Sequence, residues 1–156
     1  MLKSIIVLFI INTNVVYSQS INSLFGGTLT IHDIGNHDLI AGHGFKIGIG
    51  LNYDFKNDLK LGSELSLNTF SAIAAGYNLK EQAVSQKIYF GYNLSKRYSI
   101  SMSTGYFSLK QGKLVNFYSI MLENKRTLNI ITEIGSARIF NSRNIFLSIY
   151  LTFENK

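Results

Sequence analysis

The stretch FKIGIGLNYDFKNDLKLGSELSL, residues 45–67, decides the fold, because apolar and polar side chains alternate on both sides of a short turn. Every second residue from Phe45 to Phe55 is apolar, and the residues between them are polar or glycine. The alternation resumes at Leu59, after a polar turn at residues 56–58. A period of two predicts β-strands with two unlike faces, since successive side chains point to opposite sides. The stretch therefore predicts a long β-hairpin.

The first 18 residues predict an export signal that is cleaved from the mature chain. Lys3 precedes an unbroken apolar run over residues 5–11, and the small residue Ser18 follows. This order is typical of a secretory signal peptide, and the run is too short for a spanning helix. We expect a signal peptide at 1–18 and one domain at 19–156. The chain has no cysteine, so we expect no disulfide bonds.

The composition favours a membrane β-barrel over a soluble domain. Charged residues make up 15% of the chain, whereas soluble domains average about 25%. Beyond the signal, no apolar run reaches the roughly 18 residues that a spanning helix needs. Proline is absent, as expected of long strands whose N–H groups all pair. The positive charge is not clustered, so we expect no nucleic acid partner but rather the lipid bilayer and lipopolysaccharide phosphates.

The same alternation predicts eight strands, an even number that is typical of bacterial barrels. Besides the hairpin, whose second strand continues to about Phe70, the predicted strands span residues 22–32, 84–94, 98–107, 114–122, 127–139 and 145–153. Short turns follow the second, fourth and sixth strands, while longer outer loops are expected at Asp33–Gly42 and Ser71–Ala83. The predicted fold is all-β, an eight-stranded antiparallel up-and-down transmembrane β-barrel with periplasmic termini. The orientation of strand six stays open.

The polar faces of the strands predict the contents of the lumen. An eight-stranded barrel is just wide enough for side chains to fill it, so we expect a packed polar plug rather than an ion path. The charges expected inside, as Lys–Glu pairs, are Lys46, Lys60, Glu64, Lys87 and Glu133. The apolar faces carry aromatic side chains near the short turns, which predict a periplasmic-side girdle of Tyr53, Phe55, Tyr92, Tyr98 and Phe153.

All three histidines lie in or beside the first long connection, and they raise two chemical alternatives. Metal ligands could come from His32, Asp33, His37, Asp38 and His43, although the spacing matches no strong metal motif. A lipid A-modifying enzyme could combine His32 or His43 with Asp33 and Ser71. Sequence spacing cannot establish the hydrogen bond that such a nucleophile and base require. We therefore predict no catalytic residue, no cofactor and no enzymatic activity.

Alternation alone does not say which face of a barrel points inward. A soluble exported lipocalin-like barrel, apolar inside and holding an apolar ligand, is therefore the alternative fold. The low charge and the glycines on the polar faces favour lipid on the outside, because a soluble surface would carry more charge.

The final strand, residues 145–153, carries the clearest family resemblance. Its apolar residues Ile149, Leu151 and Phe153 alternate toward the end of the chain, like the terminal signal that the outer-membrane assembly machinery reads. The mature chain as a whole resembles the small eight-stranded outer-membrane barrels of the OmpA/OmpX class, which usually end on the aromatic residue, whereas three residues follow it here. The resemblance implies an outer-membrane protein of a Gram-negative bacterium with a structural or surface-interaction role and the outer loops as contact surface. The ligand of these loops is not predicted.

Overall fold

The computed structural model describes residues 16–33, 39–74, 77–110, 112–126, 128–139 and 142–155. They form eight strands, β1 (Val16–Asp33), β2 (Leu39–Phe55), β3 (Leu59–Ala74), β4 (Tyr77–Asn93), β5 (Tyr98–Leu109), β6 (Leu114–Lys125), β7 (Asn129–Ile139) and β8 (Ser142–Asn155). Each strand pairs antiparallel with the next, and β8 pairs with β1 to close the sheet. The predicted eight-stranded up-and-down barrel is confirmed. Within the described residues, no helix is long and apolar enough to cross a membrane.

The register of the strands sets their tilt. Paired residues followed once round the barrel from Asn22 return to β1 at His32, ten residues further along, by way of Gly50, Glu64, Lys87, Gly105, Phe117, Ala137 and Asn144. This offset of the register around the barrel requires the strands to tilt relative to the barrel axis, by about 35–45° in barrels of this kind. The strands have 11 to 18 residues, and about nine to eleven tilted residues cross a bilayer.

The exterior of the barrel is apolar and the interior is largely polar. Every strand presents an exposed large apolar side chain, for example Phe25, Ile49, Leu67, Ile88, Met102, Ile120, Ile134 and Ile149 in chain order. The lysines and glutamates of the predicted lumen are buried. A lipocalin-like barrel requires the reverse arrangement, so the structure rules that alternative out.

The orientation of β6, which alternation left open, follows from its inward and outward residues. Val115, Phe117 and Met121 are buried in the lumen, whereas Leu114 and Tyr118 are 64% and 67% exposed. Both faces of this strand are apolar, so its own sequence does not show which side chains point inward. The orientation becomes clear only when β6 is paired with its neighbouring strands in the barrel.

The described residues of the two predicted outer loops are β-structure, which corrects the sequence prediction. Residues 39–42 belong to β2 and pair with β1; residues 34–38 lie outside the described residues. The stretch Ser71–Ala83 is divided between β3 and β4, which pair up to Ala74 and Tyr77, while residues 75–76 lie outside the described residues. A loop was predicted because serine and alanine weaken the contrast between apolar and polar positions here. They do not prevent the backbone from pairing.

The connections at the other end of the barrel are short, as predicted. Between β2 and β3, the Asp58 amide donates to the Phe55 carbonyl oxygen at 3.2 Å. Asp58 has a φ of 64°, a left-handed conformation that aspartate adopts more readily than most residues. β1 begins at Val16, within the predicted signal peptide 1–18, of which residues 1–15 lie outside the described residues. We call the end of the barrel with the β2–β3 turn the lower end and the opposite end the upper end.

Candidate functional site

The middle of the lumen holds a ring of four alternating charges, Lys46, Glu64, Lys87 and Glu133, which we call the charge quartet. Lys46 Nζ lies 2.6 Å from Glu64 Oε1 and 3.1 Å from Glu133 Oε2. Lys87 Nζ lies 3.0 Å from Glu64 Oε2 and 2.9 Å from Glu133 Oε2. The four side chains are at most 5% exposed. Each charge therefore has two opposite partners, which offsets much of the cost of removing it from water.

Neighbouring hydroxyl groups satisfy much of the remaining hydrogen-bonding capacity of the quartet. Lys87 Nζ donates to the Tyr150 hydroxyl at 3.0 Å, and Ser119 Oγ donates to Glu133 Oε1 at 2.5 Å. Ser66 Oγ donates to Glu64 Oε1 at 3.0 Å. The Lys46 ammonium also lies 4.2 Å from the centre of the Tyr150 ring, a favourable cation–π geometry. The quartet is thus embedded in a polar network that holds each side chain in place.

A second ion pair fills the lumen near the lower end. Lys60 pairs with Glu123, whose Oε2 also accepts a hydrogen bond of 2.8 Å from Ser99 Oγ. Glu123 was not predicted inside, because it was assigned to the turn after β6, whereas it is the last buried inward residue of that strand. Nearby, Gly62 lacks a Cβ where one would stand 2.2 Å from the ring of Tyr89. The glycine makes room for the tyrosine inside the barrel.

The upper end of the lumen is closed by a phenylalanine cluster, Phe70, Phe107, Phe117 and Phe146. The rings of Phe107 and Phe117 stack with centroids 4.5 Å apart, and Phe70 meets Phe107 edge-on at 5.3 Å. Sequence reasoning missed this layer, although each phenylalanine occupies an inward position of its strand. Phe107, for example, lies an even number of residues after Ser99, Ser101 and Ser103, and that parity was the available signal.

The lumen leaves room for single water molecules rather than for a channel. Two cavities lie between the layers, one beside Tyr89 and Tyr150 and the other beside Phe107 and Phe146, and each has a volume of about 10 Å³. A cavity needs roughly 10–15 Å³ on this measure to hold one water molecule. The described residues therefore form a filled lumen.

The structure brings together one pair of the predicted catalytic residues but not the full set. His43 and Ser71 are directly paired across β2 and β3, whereas Asp33 pairs with Leu39, four residues before His43 on β2. His32 is buried inside the barrel, where its Nε2 lies 2.8 Å from Thr30 Oγ1, whereas Asp33 and His43 are exposed on the outer face. Neighbouring residues of a strand point to opposite faces, so His32 cannot share a site with Asp33. His37 and Asp38 lie outside the described residues. Within the described part of the chain, no three His, Asp or Glu side chains are grouped to hold a metal ion.

The predicted girdle and assembly residues lie on the outer surface. Tyr92, Tyr98 and Phe153 are 38–47% exposed, and Tyr53 and Phe55 are half-buried. Ile149, Leu151 and Phe153 belong to β8 and pair with β1, so they line the seam that closes the barrel. Their role in assembly stays a prediction.

No protein-family model and no curated protein matches the chain. The crystal structure of Ail, the attachment invasion locus protein of Yersinia pestis, is similar with a TM-score of 0.58 and 11% identity over 88% of this chain and 100% of that one. The backbone structure of Ail in a phospholipid bilayer nanodisc gives 0.54 and 10% over 87% and 100%. A barrel from the de novo design of transmembrane β-barrels gives 0.56 and 8% over 86% and 95%. The fold is that of a small transmembrane β-barrel. Identities this low show the fold alone.

Proposed function

We propose that the protein is an outer-membrane β-barrel of a Gram-negative bacterium, with a structural or surface-interaction role and no catalytic site. The observation that carries this proposal is the apolar exterior around a lumen that contains the charges. Such a surface is stable against lipid and unfavourable in water. The likeness to Ail, which is described as an outer-membrane protein, supports the same location. The terminal strand supports recognition by the outer-membrane assembly machinery.

The upper parts of β3 and β4 are the proposed contact surface. The described pairs between β4 and β5 begin at Ala83, so among the described residues the segment Tyr77–Gln82 has a strand partner only on the β3 side. A strand edge with free backbone N–H and C=O groups can accept an extended segment of another protein. The side chain of Glu81 covers part of this edge, because its Oε1 accepts a hydrogen bond of 2.9 Å from the Lys110 amide. The surface role therefore rests on the hairpin that was predicted as a loop.

Two measurements test the location and the orientation. A closed membrane barrel should migrate as a compact form in unheated detergent and shift on boiling, and this shift should be confined to the membrane fraction. Because the chain has no cysteine, the single variants Lys80→Cys and Lys96→Cys can be labelled on intact cells with a membrane-impermeant maleimide. We expect labelling at residue 80, in the upper hairpin, and none at residue 96, in a lower turn. A soluble band without a shift contradicts the location, and labelling at residue 96 alone contradicts the orientation.

A further inference from the structure

On one side of the barrel, outward-facing polar side chains of β4 to β7 interrupt the apolar outer surface. We call this group the polar patch: Gln86, Thr104, Tyr106, Asn116, Tyr118, Ser136 and Arg138. The register makes the patch continuous, since Gln86 pairs with Tyr106 and Tyr106 with Asn116, while Thr104 pairs with Tyr118 and Tyr118 with Ser136. The neighbouring strand β8 presents Leu147, Ile149 and Leu151 instead.

Two amides of the polar patch have donors without partners although they lie among apolar neighbours. The Tyr106 hydroxyl donates to Gln86 Oε1, and the Gln86 Nε2 group has no partner among the described residues. Asn116 makes no side-chain hydrogen bond within the described part of the chain. On its strand Gln86 stands between Val84 and Ile88, which are 39% and 61% exposed. An unpaired amide in hydrocarbon is costly, so a ligand that supplies polar atoms to these amides would stabilise this surface.

The upper edge of the polar patch is a basic rim, formed by Arg138 of the patch together with Lys110 and Lys113. All three residues are exposed, and no carboxylate of the described residues forms a salt bridge with them. Below the patch, an apolar groove of about 690 Å³ crosses the outer face between side chains that include Ile49, Leu65 and Ile88. Gln86, Tyr106 and Asn116 belong to the wall of the same groove. Cations, amides and an apolar groove thus follow one another down one side of the barrel.

We propose that this side binds a phosphorylated, amide-acylated glycolipid of the outer leaflet, the chemistry of lipid A. The basic rim contacts the phosphates, since guanidinium and ammonium groups complement them in charge and hydrogen bonding. Asn116 and Gln86 donate to the amide carbonyls and hydroxyls of the acyl chains, and the chains lie along the groove. This inference rests on the proposed outer-membrane location and specifies which lipid contacts which side of the barrel.

A second copy of the chain is the competing occupant, and the charges disfavour it. Two copies that met through the polar patch would bring Arg138 and Lys113 toward the same cations of the partner, and like charges at an interface oppose association. A phosphate has the complementary charge. The lipid is therefore the occupant that satisfies both the basic rim and the amides.

The test compares lipid retention by the folded barrel in phosphatidylcholine nanodiscs doped with lipid A or with phosphatidylglycerol, an anionic lipid without amide-linked chains. Bound lipid is counted by native mass spectrometry after release from the nanodisc. We expect preferential retention of lipid A, and we expect Arg138→Gln and Asn116→Leu each to weaken it about tenfold, as the loss of a hydrogen bond to a ligand group can. Lys96→Gln, which removes a cation from a lower turn, should not change it.

The possible outcomes separate this inference from the proposed function. A wild-type barrel that shifts on boiling but retains lipid A and phosphatidylglycerol equally overturns the inference and leaves the outer-membrane proposal intact. Equal retention by Arg138→Gln, Asn116→Leu and Lys96→Gln also overturns it, since the polar patch would then have no role. If the wild type forms cross-linked dimers and Asn116→Leu abolishes them, the patch binds a second copy of the chain and the lipid proposal is overturned. A chain that shows no heat shift overturns both proposals.

Discussion

The charge quartet makes a strong prediction about stability. Glu133→Gln keeps the size of the side chain but removes its charge, so Lys46 and Lys87 must share the single carboxylate of Glu64. In the wild type, Glu133 Oε2 lies 3.1 Å and 2.9 Å from the two ammonium groups. Removing one partner of a buried ion pair costs about 3–5 kcal/mol, because the other charge is left uncompensated. We expect the free energy of unfolding to fall by about this amount.

A second substitution that restores neutrality should recover part of the loss. Lys46→Met combined with Glu133→Gln leaves Lys87 and Glu64, whose Nζ and Oε2 atoms already lie 3.0 Å apart. Lys46→Met alone leaves two glutamates with one lysine and should also be destabilising. The double variant should therefore lose less than the sum of the two single losses, with a coupling energy of about 2 kcal/mol, within the range for residues in one network.

The assay is equilibrium unfolding in urea with the barrel in lipid vesicles, where the folded fraction is read from the mobility of unheated samples. Lys96→Met is the matched control, because Lys96 is exposed in the β4–β5 turn and surface changes usually stay within about 0.5 kcal/mol. A loss below about 1 kcal/mol for Glu133→Gln would refute the predicted cost of breaking the buried pair. Additive losses in the double variant would show that the quartet does not act as a unit.

Three further predictions concern other parts of the barrel. Gly62→Ala places a Cβ 2.2 Å from the Tyr89 ring, and this overpacking should lower the free energy of unfolding by about 1–3 kcal/mol in the urea assay. Phe107→Ala leaves a cavity at the centre of the phenylalanine cluster, and the same assay should show a loss of about 3–5 kcal/mol. Phe153→Asp should leave export intact but lower the amount of heat-shifting barrel in the membrane fraction, because it puts a charge on the lipid-facing seam.

Each of these predictions has a matched control. Gly50→Ala should be tolerated, since a Cβ there would meet its nearest atom at 3.4 Å; equal losses for the two glycine variants would contradict the packing explanation. Phe90 is 56% exposed on the outer face, so Phe90→Ala should cost less than Phe107→Ala. Phe153→Tyr keeps an aromatic ring at the seam and should assemble normally. A normal membrane yield of Phe153→Asp would remove the support for the terminal-strand signal.

The faces of the strands could be predicted from the sequence, but the partners inside the lumen could not. Once lipid is placed on the apolar faces, a period of two assigns Lys46 and Glu133 to the interior without information about other strands. Their contact depends on the register of β2 and β7, which are not neighbours in the sheet. Glu123 shows the same limit, since a residue beside a turn faces inward only if the strand continues that far. The contacts between side chains in the lumen can therefore be assigned only in the closed barrel, once the register of every strand pair is known.

The length of the strands beyond the bilayer was also hidden from the sequence. Lipid imposes an apolar outer face only within its thickness, and above it the strand can carry serine, alanine and glutamine on the same side. The stretch Ser71–Ala83 continues the pairing of β3 and β4 without that contrast, as the observed pairs show. Hydrophobic alternation therefore marks the membrane-facing part of each strand and not its end.

The buried charges are best explained as determinants of register. A slip of one residue between two strands moves every inward side chain to the outer face. For β4 this would expose Lys87 to lipid, at a cost of about 2–4 kcal/mol for a lysine at the midplane. A slip of two residues keeps the faces but separates Lys87 from Glu64, its directly paired neighbour on β3, so each of these buried charges loses one of its two opposite partners. Both errors are penalised, whereas an apolar lumen inside an apolar exterior would oppose neither of them by polarity. The charge quartet thus selects one register, even if apolar residues of equal volume would contribute as much stability.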